Sequence, residues 1–213
     1  GRLICSSNSN NVLTDFIATG VYDRNRSFYT TVSPSMDILI SSNLERLLYY
    51  LSGCNAPAVA EWMQSLKTSG QYRVDPETAA KIRELFYGGF TTETETLATI
   101  KQVYNTAGTV LDTHTAVAAA VYEKYLRTTG DNIPVLLAAT ASPFKFNASV
   151  IRAISGADAV RGKTEFELLE QLAALSSRPI PAGLKNLDRK PARHSTRCES
   201  GDLGRAVENF LRI

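Results

Sequence analysis

Ser142 and Lys145 stand three residues apart on a turn opened by Pro143. In serine acyl-enzyme hydrolases this spacing lets a lysine one helical turn on lower the serine's proton affinity. The companion motifs of that chemistry are absent, since Ser41-Ser42-Asn43 and Lys163-Thr164-Glu165 are poor stand-ins, and a two-residue match arises often by chance. Lys145 as a Schiff-base amine would need a dry or cationic pocket to suppress its charge. Nothing around it in the sequence demands one, so it reads as a structural lysine. The segment from Gly156 to Thr164 resembles a phosphate-binding loop, but five residues separate its glycines and a helix pattern precedes it. The loop needs four, and a strand before it, for its backbone amides to converge. His114 and His194 have no carboxylate or thiol partner at ligand spacing, which argues against a metal site.

The polar residues that remain cluster at two junctions. A short β-branched run ends at Asp112, and a small-residue helix pattern follows it. The apolar run 133–138 then breaks into Ala139-Thr140-Ala141-Ser142 before Pro143 and another helix. An unbroken apolar run bounded by polar turns predicts a strand buried on both faces, as in a parallel sheet. Ser142 before Pro143 predicts an N-cap with proline at the first helical position. Together they predict a βαβ unit whose strand ends gather Asp112, Thr113, His114, Thr115, Thr140 and Ser142 at one crevice, where open α/β sheets bind ligands.

Elsewhere the punctuation is clear. Arg2–Ser7 predicts a strand ending in an asparagine-rich turn, 8–11, which reads as ordinary punctuation. A helix over 12–20 closes on Gly20, and 22–31 reads as a surface loop. Residues 33–53 predict one helix, with Ser33 as cap, Pro34 at its first position, Asp37 in its first turn and Gly53 as its stop. Polar residues are dense there: Ser33, Ser35, Asn43, Glu45 and Arg46. Helices are expected over 56–70, over 75–89 from Asp75 and Pro76, and over 91–108 from a Thr92-x-x-Glu95 capping box. Gly88-Gly89 reads as a helix stop or a hinge. Further helices are expected over 146–156 and 164–177. An extended proline-rich, basic stretch (178–198) precedes a short final helix. The fold expected is α/β, with parallel strands near 2–6, 109–112 and 133–139 decorated by a helical insertion.

At 213 residues, 44% hydrophobic and 21% charged, the chain has an ordinary globular composition able to bury a full core. Basic and acidic residues number 23 and 21, which leaves no field strong enough to suggest a nucleic-acid or acidic-membrane partner. No apolar run approaches membrane-spanning length, and no leader pattern precedes the first strand. Cys5, Cys54 and Cys198 lie far apart with no C-x-x-C pair, the pattern of thiols in a reducing, cytoplasmic compartment.

Three stretches resemble the threonine synthase family: 10–48, containing SPSMDILISSNLERLL; 111–125, LDTHTAVAAAVYEKY; and 135–146, VLLAATASPFKF. The intervening GGFTTETETLATI and the tail RPIPAGLKNL…RHSTRC fit it too, so the resemblance covers nearly the whole chain. It implies a pyridoxal-phosphate enzyme with the parallel-sheet core of the tryptophan-synthase-β-like fold (fold type II). Such an enzyme is a carbon–oxygen lyase that converts O-phospho-L-homoserine and water to L-threonine and phosphate. The family's Schiff-base lysine lies in an S-F-K-D motif that this sequence lacks, and so does its glycine/asparagine-rich loop for the cofactor phosphate. The resemblance therefore implies a fragment, the C-terminal half, inactive alone and completed by a missing N-terminal half. A non-catalytic free-standing domain of the same fold, used for binding or interaction, is the alternative. The divisions expected are 1–32 (start of the α/β domain), 33–108 (helical insertion), 109–160 (rest of the core with its cofactor-facing loop) and 161–213 (helical tail). By motif match Thr140 faces the pyridine nitrogen of the cofactor and Ser142 lines the same wall. Ser33, Ser35, Asp37 and His114 are substrate-side candidates. Proline where Thr113 stands and tyrosine where Phe144 stands are commoner in the family.

Overall fold

The computed structural model describes residues 1–212. Residues 1–180 form one compact unit and the residues from Pro181 onward a second, small one.

In the larger unit, strand β1 (Leu3–Ser7) leads into helix α1 (Val12–Thr19) and strand β2 (Val21–Asp23). After a long loop come α2 (Leu44–Leu51), α3 (Ala56–Thr68), β3 (Gln71–Arg73), α4 (Pro76–Leu85) and β4 (Phe86–Phe90). Helices α5 (Glu93–Ala107), α6 (Thr113–Thr129), α7 (Asn147–Ser155) and α8 (Glu165–Ser176) complete it. The smaller unit holds α9 (Leu203–Leu211). β1 pairs in parallel with β4, from Leu3 opposite Phe86 to Ser7 opposite Phe90, while β2 and β3 form a separate antiparallel pair. The α/β class and its parallel pairing therefore stand, but the pairing is not the expected one.

β4 lies where a helix over 75–89 was expected, and its glycines are neither a helix stop nor a hinge. Successive strand residues face opposite sides. A Cβ on Gly88 would sit 3.1 Å from the Thr14 Cα of α1, and one on Gly89 would sit 2.6 Å from a Val121 methyl of α6. The two glycines let one helix press on each face of the same strand. Gly89→Ala should accordingly cost about 1–3 kcal/mol by overpacking. Adding Val121→Ala should return part of that loss, a coupling of about 1 kcal/mol in urea unfolding. Strictly additive losses would mean that the two positions do not meet.

Residues 109–112 are not a strand. They carry the chain from α5, closed by Gly108 at φ 63°, to Asp112, which caps α6. Residues 133–139 are not a strand either; the run has no regular structure and no strand partner among the described residues, and Leu136 is 94% exposed. Nor does one helix fill 33–53. Pro34–Met36 make a single 3-10 turn, and α2 starts only at Leu44. Ser33 and Asp37 are drawn away from helical capping by partners described below.

One core gathers α1, α2, α3, α4 and the β2–β3 pair around Phe16, Tyr22, Trp62, Tyr72 and Ile82. Tyr22 and Tyr72 stack at 5.3 Å, Phe16 meets both edge-on at 5.7 and 5.8 Å, and Trp62 stacks on Tyr72. Burial pushes the Tyr72 hydroxyl's pKa far up. The Tyr22 hydroxyl instead reaches the loop, donating to Leu39 O at 3.0 Å and accepting from Ser41 N at 2.8 Å. A second apolar layer joins α5, α6, α7 and α8 through Ile100, Val117, Val121, Val150, Ile151 and Leu172, all fully buried.

Glu95 ties α5 to α6. It closes the Thr92 capping box and meets Lys124 of α6 at 2.8 Å, while Lys124 also donates to Phe90 O. Lys124 first, and then the Thr92 amide, hold the Glu95 carboxyl at about 2, below its ordinary 4.5. A carboxyl depressed on folding stabilises above its unfolded pKa and loses that contribution as pH falls towards its folded one. Glu95 is half-exposed, so solvent screening leaves about 1 kcal/mol, chiefly from the cap. Glu95→Gln should lower stability by that amount at pH 7, and the difference should close between pH 4.5 and 2. A gap unchanged down to pH 2 would rule this out.

Candidate functional site

β1 ends at Ser7, and the next turn carries Asn8 and Asn10, both buried. Buried amides need partners, and these find them in the loop between β2 and α2. Asn10 Nδ2 donates to Tyr29 O at 2.8 Å, and its Oδ1 accepts from Tyr29 N at 2.9 Å. Asn8 Nδ2 has Asp37 Oδ1 at 2.7 Å, Thr31 Oγ1 at 2.8 Å and Ser33 Oγ at 3.0 Å. Asn8 Oδ1 accepts from Asn10 N at 2.9 Å.

Asp37 is the hub of this network. Its Oδ1 also accepts from Asn10 Nδ2 at 3.0 Å and from the Thr31 hydroxyl at 2.7 Å, and its Oδ2 accepts from Thr31 N at 2.9 Å. Every one of these donors is neutral. The same loop reaches α6 through Ser35, whose backbone N–H donates to His114 Nε2 at 3.1 Å. With Nε2 accepting, a neutral ring carries its proton on Nδ1, which lies 3.3 Å from both Asp112 Oδ1 and Thr113 Oγ1. The other side of the ring faces Phe146, with centroids 4.7 Å apart. Asp112 meanwhile caps α6, accepting from the backbone amides of His114 and Thr115 and from the Thr115 hydroxyl.

Four of the candidate residues thus come together: Ser33, Ser35 and Asp37 on the loop and His114 at the start of α6. Ser142 lies at the neighbouring turn, where its Oγ accepts from Phe144 N at 3.4 Å as the expected cap. Thr140 stands apart from the network, exposed and with no hydrogen bond among the described residues. Lys145 is exposed one turn beyond Ser142. Arg46 bonds Asn43 Oδ1 at 2.6 Å. Asn8, Asn10 and Thr31 went unnoticed in the sequence, where the asparagines read as turn punctuation. The available signal was an Asn-x-Asn directly after a strand, where two amides two residues apart lie close enough to share an acceptor.

Chemically the cluster is a stiff wall. Asp37 and Asp112 spend their oxygens on internal donors, so neither is free to act as a base. The side chains order two loops and a helix start around the C-terminal end of β1.

Residues 115–203 match the family described as Threonine synthase, C-terminal. The crystal structure of yeast threonine synthase matches 99% of this chain with a TM-score of 0.79 at 31% identity. Over nearly its whole length the chain is similar to the C-terminal part of threonine synthases. A pyridoxal-phosphate-bound threonine synthase from Brucella melitensis matches 82% of the chain at 34% identity and a TM-score of 0.67. Human threonine synthase-like 1 is 39% identical over 154 residues, 72% of the chain. The chain spans only part of each: 20% of the human protein, 40% of the Brucella chain and 42% of the yeast chain. Its fold is that of the C-terminal part of threonine synthases. No helix among the described residues is long and apolar enough to cross a membrane.

Proposed function

We propose that this chain works as the C-terminal part of a pyridoxal-phosphate lyase that turns O-phospho-L-homoserine and water into L-threonine and phosphate. The observation that carries the reading is the match of nearly the whole chain to yeast threonine synthase; the Brucella relative has pyridoxal phosphate bound.

The residues at hand fit one wall of a pyridoxal-phosphate site. Thr140 offers a hydroxyl with no partner among the described residues, and Ser142 offers a second polar group two residues on. When bound, pyridoxal phosphate supplies the electron sink that makes protons on carbon removable and lets phosphate leave. Thr140 would offer the ring nitrogen a neutral hydroxyl, which, unlike a carboxylate, would not hold that nitrogen protonated and so would moderate the sink. Ser33, Ser35, Asp37 and His114 hold the substrate-side wall in one geometry, a form of catalytic positioning. His114 keeps its Nδ1 proton towards Asp112 and fixes the 34–36 turn through Ser35.

The amine that carries the cofactor lies in another part of the enzyme. The chain alone is therefore inactive, and Lys145, on the turn beyond Ser142, does not replace that amine. The test compares this chain with a polypeptide in which it is joined to the rest of a threonine synthase. With pyridoxal phosphate and O-phospho-L-homoserine, the joined protein should form threonine and phosphate in equal amounts. The chain alone should form neither and show no cofactor-specific absorbance. Activity or cofactor attachment at Lys145 in the chain alone would overturn the assignment.

A further inference from the structure

His114 joins the 34–36 turn to the start of α6 by a bond that exists in only one of its protonation states. Its side chain is 11% exposed, and its Nε2 accepts from the Ser35 backbone N–H at 3.1 Å. A protonated imidazole donates from both nitrogens, so one N–H would face another and the bond would be lost. On the other side of the ring, Nδ1 has Asp112 Oδ1 at 3.3 Å, and Phe146 lies against the ring with centroids 4.7 Å apart. A carboxylate and an aromatic neighbour are what a buried cation needs. The surroundings thus accept the ring in either state, neutral with the turn attached or charged with it detached.

The change is confined to this one tie. Within the turn, Met36 N donates to Ser33 O at 2.9 Å and Asp37 N to Pro34 O at 3.1 Å, and neither bond involves the ring. Ser33 and Asp37 stay with Asn8, Asn10 and Thr31. Ser35 is exposed, so water replaces the imidazole at its amide and no buried donor is stranded. The charged groups facing the ring are few. Helix α6 brings Asp112 at its cap and no other charge before Glu123. The loop brings Asp37, already committed to its own donors. The 143–146 turn brings Lys145, which lines a neighbouring hollow with Pro34, Phe146 and Glu165. Carboxyls and lysines ordinarily change charge outside pH 5 to 8, and imidazoles within it.

We infer that His114 is a proton-operated latch: neutral, it ties the 34–36 turn to α6, and on gaining a proton it releases that turn. The sign follows from the bond itself. Nε2 must be free of a proton to accept, so the tie is complete at the alkaline end and is lost as pH falls. Its consequence for turnover rests on the threonine synthase reading, in which this turn belongs to the substrate-side wall. The latch itself stands apart from that reading.

The test follows amide exchange of the 213-residue chain by NMR, corrected for the intrinsic pH dependence of exchange. The Ser35 amide should be protected about 10-fold or more at pH 8 and should lose that protection by pH 5. The Thr31 amide, held by Asp37 Oδ2, should stay protected at both. His114→Gln supplies an acceptor oxygen that does not titrate, and it should keep Ser35 protected at both pH values. His114→Leu should leave Ser35 unprotected at both. In the protein joined to the rest of a threonine synthase, the ratio of parent to His114→Gln kcat/KM should fall about 5-fold or more from pH 8 to pH 5, chiefly through KM. The inference is overturned if Ser35 protection in the parent is the same at both pH values, a result that needs no variant to fold. It is likewise overturned if His114→Gln reproduces the parent's pH dependence, or if Thr31 loses protection together with Ser35. A pH-dependent Ser35 in a joined protein that forms no threonine would leave the latch standing and remove the assigned reaction; threonine formation with a pH-independent Ser35 would do the reverse.

Discussion

Asp37→Ala should cost this chain about 3–5 kcal/mol, more than any other single substitution in the candidate site. The carboxylate accepts from Asn8, Asn10 and twice from Thr31. Removing it strands several largely buried donors at about 1–3 kcal/mol each, partly offset by water entering beside the half-exposed loop. Asp37→Asn should fall between, because it keeps one acceptor oxygen but sets an NH2 group against donors. The Tyr22–Tyr72–Phe16 core lies outside the network, so near-ultraviolet dichroism of the folded fraction should persist. Limited proteolysis should then cut first within 28–40. A loss below about 0.5 kcal/mol in urea unfolding would show that the hub is dispensable.

Thr140→Val should reduce turnover of the complete enzyme by roughly one to two orders of magnitude, which is about 1.5–3 kcal/mol of transition-state stabilisation. Valine keeps the volume and removes the hydroxyl assigned to the ring nitrogen. Thr140 is exposed and makes no internal hydrogen bond among the described residues. Its replacement should therefore leave the stability of the 213-residue chain within about 0.5 kcal/mol of the parent. That contrast separates a cofactor role from a structural one. Wild-type turnover in the variant, or a turnover loss that merely tracks unfolding, would remove Thr140 from the cofactor wall.

The sequence by itself determined what is settled within a few residues of chain. Gly20 and Gly108 close their helices in the left-handed conformation, Asp75 caps α4, and Thr92 with Glu95 forms a complete capping box. Each of these signals acts through bonds between residues two to four apart, so no distant partner can change the outcome. The segments resembling threonine synthases likewise pointed to the relatives that the comparisons found, because a motif is read without its fold.

Tertiary structure alone decided the rest. Phe86–Phe90 is a strand because β1, some eighty residues earlier, offers it an edge and two helices need the flat faces of Gly88 and Gly89. Local propensity disfavours glycine in strands, so the sequence pointed the other way. Ser33 and Asp37 carry the grammar of a helix start, but buried Asn8 and Asn10 compete for the same oxygens and win, and the helix gives way to a single turn. Residues 133–138 have the composition of an interior strand, yet strand pairing is a property of two segments. Here the run lies across a groove from β1 with its amides unpaired, because side-chain apolarity can specify burial but cannot supply the neighbouring backbone.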